Sequence, residues 1–276
     1  MGVRKRDYNA DAVAAAKSVL IELVHLLGQY RDHLVVIGGW VPELLMPEAD
    51  SRHVGSIDVD LALNHRSFTE DGYRLVQELL KSRGYEPGKQ PFIFFRTVKV
   101  GNEEIQVEVD LLAGEYGGTG KGHRTQKVQD VRPRKARGCD LAFDLYREIE
   151  VEGELPGGGK DSVRVRVASV VPFLVMKGMA MHDRLKEKDA WDIYYCIKNY
   201  PGGQAALVAE FMPHMSYALM REGLEKIAKK FSTLESVGVK HVADFEEIAD
   251  TEARALLQRD AFERVQALLR AVGVKG

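Results

Sequence analysis

Two cysteines in 276 residues leave little scope for covalent bracing. Cys139 and Cys196 belong to no CxxC or other metal-ligand spacing, so both read as reduced thiols of a cytoplasmic protein, and a structural disulfide is not expected. Long apolar runs are missing too: none approaches the roughly 20 residues that a membrane span needs. The first six residues are basic, but no signal-type apolar core follows them. Charge of one sign is also lacking. The 39 Lys and Arg against 41 Asp and Glu leave a net charge of -2, so any nucleic-acid binding would need a local patch. There is no internal repeat and no low-complexity tract. What is present is an ordinary soluble composition, 45% hydrophobic and 29% charged, in a chain long enough for one large or two modest domains.

Periodicity then orders the chain. Residues 9–29 read as an amphipathic helix, with Asn9 or Asp11 as its cap. Leu34 to Ile37 is a short buried strand that runs into Gly38-Gly39, and Trp40 to Met46 starts a helix that tolerates Pro42 in its first turn. A polar loop leads to a second strand over Ile57 to Leu63. Phe68 to Gly84 is a helix with Leu75, Val76, Leu79 and Leu80 inward. Phe92 to Val100 and Glu104 to Leu112 form a hairpin across Gly101-Asn102, and Arg147 to Glu154 with Ser162 to Val167 form another. From Val170 to about Val272 the pattern is helical. The expected fold class is therefore α+β, a mixed-sheet domain over 1–168 followed by a helical domain over 169–276.

Three carboxylates stand out. Asp58 and Asp60, two apart on one strand, point to the same face. Asp110 lies on a later strand, on the side opposite its main apolar set. Like charges this close repel unless a cation separates them. Oxygen ligands without cysteine or histidine favour Mg2+ or Mn2+ over zinc. Such a site suits an in-line nucleotidyl displacement, with Asp110 able to accept the nucleophile's proton. The bland alternative is that these acids merely alternate on a solvent-facing sheet. Upstream, Gly38 and Gly39 leave backbone N–H groups open to anions. Ser56 either reaches a phosphate or holds its own turn.

Gly38-Gly39, then Ser56-Ile57-Asp58-Val59-Asp60, then Asp110, resemble the nucleotidyltransferase superfamily with the polymerase-beta-like fold. A second stretch resembles the AbiEii toxin-type members: Lys177 within Pro172–Ala180, then Arg184, then Lys188-Asp189 and Asp192. The resemblance covers about residues 34–200. It implies an NTP substrate, metal on Asp58, Asp60 and Asp110, and phosphate contacts from the glycine pair. It also implies roles for Lys177, Arg184, Lys188, Asp189 and Asp192 at the nucleotide. Its further implications are a type IV toxin–antitoxin or phage-defence setting, tRNA as possible acceptor, and a cognate antitoxin as partner. Two features depart from the family pattern. Eighteen residues separate Gly39 from Asp58, so Pro47–Val54 reads as an insertion, and Trp40 follows the glycines where a small residue is usual. Trp40 either packs in the core, the preferred reading, or walls the nucleotide pocket.

The second stretch has its own physical reading. On one continuous helix Lys177, Arg184 and Lys188 would fall within about 40° of one another, a cationic stripe in need of anions, for which a triphosphate is the obvious candidate. Alternatively the helix breaks near Lys186–Lys188, Asp189 caps a new one, and Asp189 and Asp192 orient Lys177 or Arg184. Inter-helix salt bridges without a substrate role are the third reading. His53, with His25, His33, His65 and His123, shows no ligand spacing. The run Lys121–Arg137 holds seven Lys or Arg residues and is either a phosphate-backbone patch or a solvated loop. Two functional alternatives stand beside the toxin reading: a transferase that modifies an aminoglycoside or lincosamide antibiotic, and a nucleotide-binding regulator without turnover.

Overall fold

A computed structural model describes residues 4–64, 70–90, 92–113 and 134–275. The chain divides into two compact units. A sheet unit holds Asn9–Leu44 and Gly55–Ser169; a helical unit holds the chain up to Tyr8, Leu45–Val54 and the chain from Val170 onward. The architecture is α+β with a mixed sheet. Residues 45–54, expected with the first 168, thus group with the helices.

In the sheet unit, α1 (Ala10–Leu26) starts where the Asn9 side chain accepts the N–H of Ala12, an N-cap that satisfies one otherwise orphaned donor. Its buried face carries Ala16, Val19, Leu20 and Leu23 at helical spacing. The strands are β1 (Leu34–Ile37), β2 (Asp58–Leu63), β3 (Glu86–Pro87), β4 (Ile93–Val100), β5 (Glu103–Ala113), β6 (Arg134–Lys135), β7 (Tyr146–Glu154) and β8 (Lys160–Ala168). They run in the order β3-β4-β5-β2-β1-β8-β7, with β6 paired to the end of β5. The β4–β5 and β7–β8 pairs are the two expected hairpins; β2–β5 and β1–β8 are parallel. Alternation places Val59, Leu61, Val107, Val109 and Leu111 in the core. Helix α1 lies against the sheet closely enough that a Cβ on Gly153 would come within 2.7 Å of Ile21. Arg96 of β4 donates to Glu22 of α1 at 3.0 Å. Between β1 and β2 runs α2 (Trp40–Leu45), and α3 (Glu70–Ser82) follows β2. Val76 and Leu80 of α3 are buried, but Leu75 is exposed, contrary to expectation: the inward face follows the i, i+4 pair and leaves Leu75 outside it. A single-turn helix, α4 (Leu141–Asp144), precedes β7.

The helical unit contains α5 (Val170–Asp183), α6 (Glu187–Asn199), α7 (Gly203–Phe211), α8 (Ala218–Lys230), α9 (Val237–Phe245) and α10 (Thr251–Ala271). The continuous helix through Lys177 and Lys188 does not form. α5 stops at Asp183, and Lys186 caps α6 with no side-chain bond, so Asp189 is not the cap either. Helices α5 and α8 meet through Gly178 and Gly223. A Cβ on Gly178 would lie 2.3 Å from the Gly223 carbonyl oxygen, and one on Gly223 would lie 2.7 Å from Val175. Gly178→Ala should therefore destabilise the protein by about 2–3 kcal/mol, because backbone overlap outweighs the roughly 1 kcal/mol that alanine gains in a helix. Urea unfolding measures this; equal stability would refute the close α5–α8 crossing.

Of the basic run Lys121–Arg137, residues 121–133 lie outside the described residues.

Candidate functional site

Strands β2 and β5 pair in parallel with Asp58 beside Glu108 and Asp60 beside Asp110. Register partners and residues two apart share a sheet face, so the three expected acids stand on one side with a fourth, Glu108. Glu108 was absent from the sequence-based set although the signal was there, two residues before Asp110 in the same alternation. Asp110 is buried at 4% exposure, and the other three are half-buried. Like charges side by side across strands oppose folding unless hydrogen bonds or a cation relieve them. Part of that relief is internal: the Ser56 hydroxyl donates to Asp58 Oδ1, so Ser56 serves an acid.

The glycine turn abuts this block. Ile37, the last residue of β1, is the register partner of Asp60, and the chain then turns at Gly38 with φ 70°. A Cβ on Gly38 would lie 1.9 Å from Asp60 Oδ2, so only glycine both accepts this φ and leaves room for the carboxylate. Trp40 is 1% exposed, and its indole Nε1–H donates to the Asp58 carbonyl at 2.8 Å. It belongs to the core and ties the start of α2 to the start of β2. Since α2 has only six residues, its dipole is small and adds little at the turn. Nearby, Cys139 is fully buried; burial, then the charges of Asp140 and Asp60, push its thiol pKa up, so it is protonated and inert.

The all-oxygen donor set suits a hard divalent ion. Among the described residues, however, no group of three or more His, Cys, Asp or Glu side chains is drawn together to hold a metal. The acids share a face rather than a closed coordination shell.

The second set of expected residues gathers within the helical unit. Lys177 Nζ lies 2.7 Å from Asp189 Oδ1 and 2.7 Å from Asp192 Oδ2. Arg184 Nε donates to Asp189 Oδ2 at 2.9 Å, and Lys188 Nζ to Asp192 Oδ1 at 2.9 Å. Both aspartates are 0% exposed. The anions that these cations meet within the helical unit are thus Asp189 and Asp192, the arrangement expected if the helix breaks and the two aspartates orient Lys177 and Arg184, and not the continuous cationic stripe. Arg184 alone of the three cations has a substantially exposed side chain, at 38%. Burial disfavours the ionised carboxyl of Asp189, but Lys177 and Arg184 prevail and hold its pKa near about 2. Asp192 is likewise held well below the carboxylate range, with Lys177 and Lys188 overcoming burial. For Lys188 burial prevails over Asp192 and lowers the pKa, whereas Asp189 and Asp192 outweigh burial at Lys177 and raise it.

His53 completes this cluster and was missed, because 139 residues separate it from its partner. It sits 3.0 Å from Asp192 Oδ1 with its side chain fully buried. An ionised carboxylate only accepts, so neutral His53 carries its proton on Nε2 and donates it. The ring packs 5.0 Å from Trp191 and 4.8 Å from Tyr195, and the Tyr195 hydroxyl donates to the Ser51 carbonyl at 2.7 Å. The stretch expected to be a polar insertion is thereby pinned to α6.

Burial, then the Lys188 charge, lowers the His53 pKa from 6.5 to about 4. The native state therefore binds fewer protons than the unfolded chain between these values. Stability from this group is complete above pH 6.5 and drains away as pH falls toward 4; the shift corresponds to on the order of 3 kcal/mol. Asp189 adds a further loss below its ordinary 3.8. His53→Gln keeps a donor to Asp192 and removes the titration. Its urea-unfolding free energy should be nearly flat from pH 6.5 to 4.5 where the parent's falls; parallel profiles would refute the assignment.

No family model matches the chain, and no curated protein matches it. Among solved structures, the chain is similar to that of JHP933 from Helicobacter pylori, at 15% identity with a TM-score of 0.46 over 96% of this chain and 94% of that one, a likeness too distant to bear on function.

Proposed function

We propose that the protein is a Mg2+-dependent nucleotidyltransferase of polymerase-beta-like fold that moves NMP from an NTP to an acceptor hydroxyl, an AbiEii-like toxin with tRNA as acceptor and an antitoxin protein as partner. The observation that carries this reading is the register of Asp58, Asp60 and Asp110 on one sheet face, with the Gly38 turn packed on the Asp60 carboxylate. In this reading Asp58, Asp60 and Asp110 hold the metal. Bound Mg2+ would supply charge neutralisation at the triphosphate and a lowered pKa for the attacking hydroxyl. The N–H groups of Gly38 and Gly39 face the phosphates. The acceptor oxygen forms a bond to the α-phosphorus as the bond to the bridging oxygen breaks. Pyrophosphate leaves with that electron pair, and Asp110 accepts the hydroxyl proton. Ser56 keeps Asp58 oriented. Lys177, Lys188, Asp189 and Asp192 brace the helical unit, and Arg184 is the member of that set with exposure enough to touch a phosphate.

The test is incubation with each α-labelled NTP, Mg2+ and total tRNA. Label in RNA supports the proposal. Label moved instead to an aminoglycoside would establish the small-molecule transferase. NTP binding with no transfer to any acceptor would reduce the chain to a nucleotide-binding regulator.

A further inference from the structure

Helix α8 and the chain that follows α10 enclose a groove of about 650 Å³ within the helical unit. One wall is a row of α8 in which Arg221, Glu225 and Lys229 recur every four residues, with Ser232 just past the helix end. The other wall is set by the stop of α10. Gly273 turns the chain at φ 77°, and the Val274 N–H donates back to the Leu269 carbonyl at 2.9 Å. Val274 is buried by this turn, and Lys275 lies exposed on the groove.

The groove does not neutralise itself. Arg221, Lys229 and Lys275 line it against one acid, Glu225. Among the described residues, none of these four forms an ion pair, whereas Glu222 and Lys226 of the same helix close at 3.2 Å. Arg221 and Lys229 stand two turns apart, about 12 Å along the axis. A single phosphate or carboxylate does not span that distance; a ligand with charges at intervals does. One turn before Arg221, the Tyr217 ring is 57% exposed and stacks on His214, with 6.2 Å between centroids and planes 21° apart. An exposed flat ring beside a row of cations suits a base next to its phosphates, and a purely acidic peptide would leave that ring unused. Glu225 only accepts hydrogen bonds, so it favours a polyanion whose charges are interrupted by hydroxyl donors.

We propose that this groove binds single-stranded RNA, with phosphates at Arg221, Lys229 and Lys275, a base on Tyr217, and a ribose 2′-hydroxyl donating to Glu225. The inference is independent of nucleotidyl transfer, and its test uses neither NTP nor Mg2+.

The probe is a fluorescent oligouridylate about 12 nucleotides long, titrated with the full chain in EDTA and followed by anisotropy. It should bind with a dissociation constant of about 10 μM at low salt, and log affinity should fall against log salt with a slope of about −2, as three contacts on a single strand require. Oligodeoxyuridylate differs only by the 2′-hydroxyl and should bind at least about threefold more weakly. Polyglutamate should bind at least about tenfold more weakly. The triple variant Arg221→Gln, Lys229→Gln, Lys275→Gln changes exposed side chains and should keep the parent's Tm, weaken oligouridylate at least about tenfold and bring the salt slope toward zero. Arg259→Gln, an exposed site about 20 Å back along α10, should change affinity less than about twofold. Glu225→Gln should tighten both strands and erase the preference for RNA, a gain that misfolding does not imitate. No binding of oligouridylate up to about 100 μM, undiminished binding by the triple variant, or affinity no better than that of polyglutamate or the deoxy strand would each overturn the proposal.

Discussion

Replacing Asp192 with alanine should cost about 3–5 kcal/mol of stability, because it strips a buried ionic cluster of the group that three partners share. His53, Lys177 and Lys188 all reach this carboxylate. Lys177 would retain Asp189, but Lys188, at 3% exposure, would lose the carboxylate that it bonds through both oxygens. An unmatched ammonium there must either remain charged in a poor solvent or give up its proton. The Tm should fall by roughly 10 °C for a chain of this size. The segment 45–54 should also become susceptible to proteolysis, having lost the His53 anchor. A drop of less than about 2 °C would refute the tightness of the cluster. Replacing both partners, Asp192→Leu with Lys188→Met, should restore much of the loss, since an apolar pair of similar volume needs no counter-charge.

Asp60→Ala should act in the opposite sense. Under the proposed function, transfer of label from NTP to the acceptor should fall by at least about 10³-fold, equivalent to about 4 kcal/mol of transition-state stabilisation. Stability should hold or rise slightly, since the substitution removes one of four carboxylates packed two by two and frees space beside Gly38. A variant that keeps its Tm and also keeps transfer within tenfold of the parent would sink the metal role of the acid face. A variant that loses both would show that Asp60 is needed for folding, and Asp60→Asn would then separate shape from charge.

The sheet unit was legible because strand signals are local. Alternation in β5 and β8, the turn glycines between hairpin strands, and the acids two apart on β2 each lie within a few residues of one another. The pairing of β2 with β5 is not local, yet it was anticipated, because Asp110 had to join Asp58 and Asp60 for the acids to make chemical sense. The α5–α6 break was harder to read. Met181 to Trp191 contains neither proline nor glycine, and nothing in its propensities demands a stop. The break is bound up with long-range ion pairing: Arg184 and Lys177 of one segment close on Asp189 of the next. His53 was missed for a related reason. A lone histidine in a polar loop has no periodicity, and its meaning appears only when a partner far along the chain supplies a carboxylate and an aromatic wall. Leu75 shows the limit of face assignment on a helix whose hydrophobic residues occur as adjacent doublets.

The excursion of residues 45–54 has a consequence for inheritance. The chain passes between the two units at 8/9, 44/45, 54/55 and 169/170. Gly38 and Asp58 belong to the sheet unit, but the ribbon that joins them is fastened elsewhere, by His53 to Asp192 and by Ser51 to Tyr195. A fragment ending at residue 168 would carry this ribbon without its fastening, between the very residues that shape the acid face. Recombination at the sheet–helix junction would therefore transplant an incomplete unit. The sheet unit and the C-terminal helices are a single heritable part, and any relative that keeps the one with this long connection should be found to keep the other.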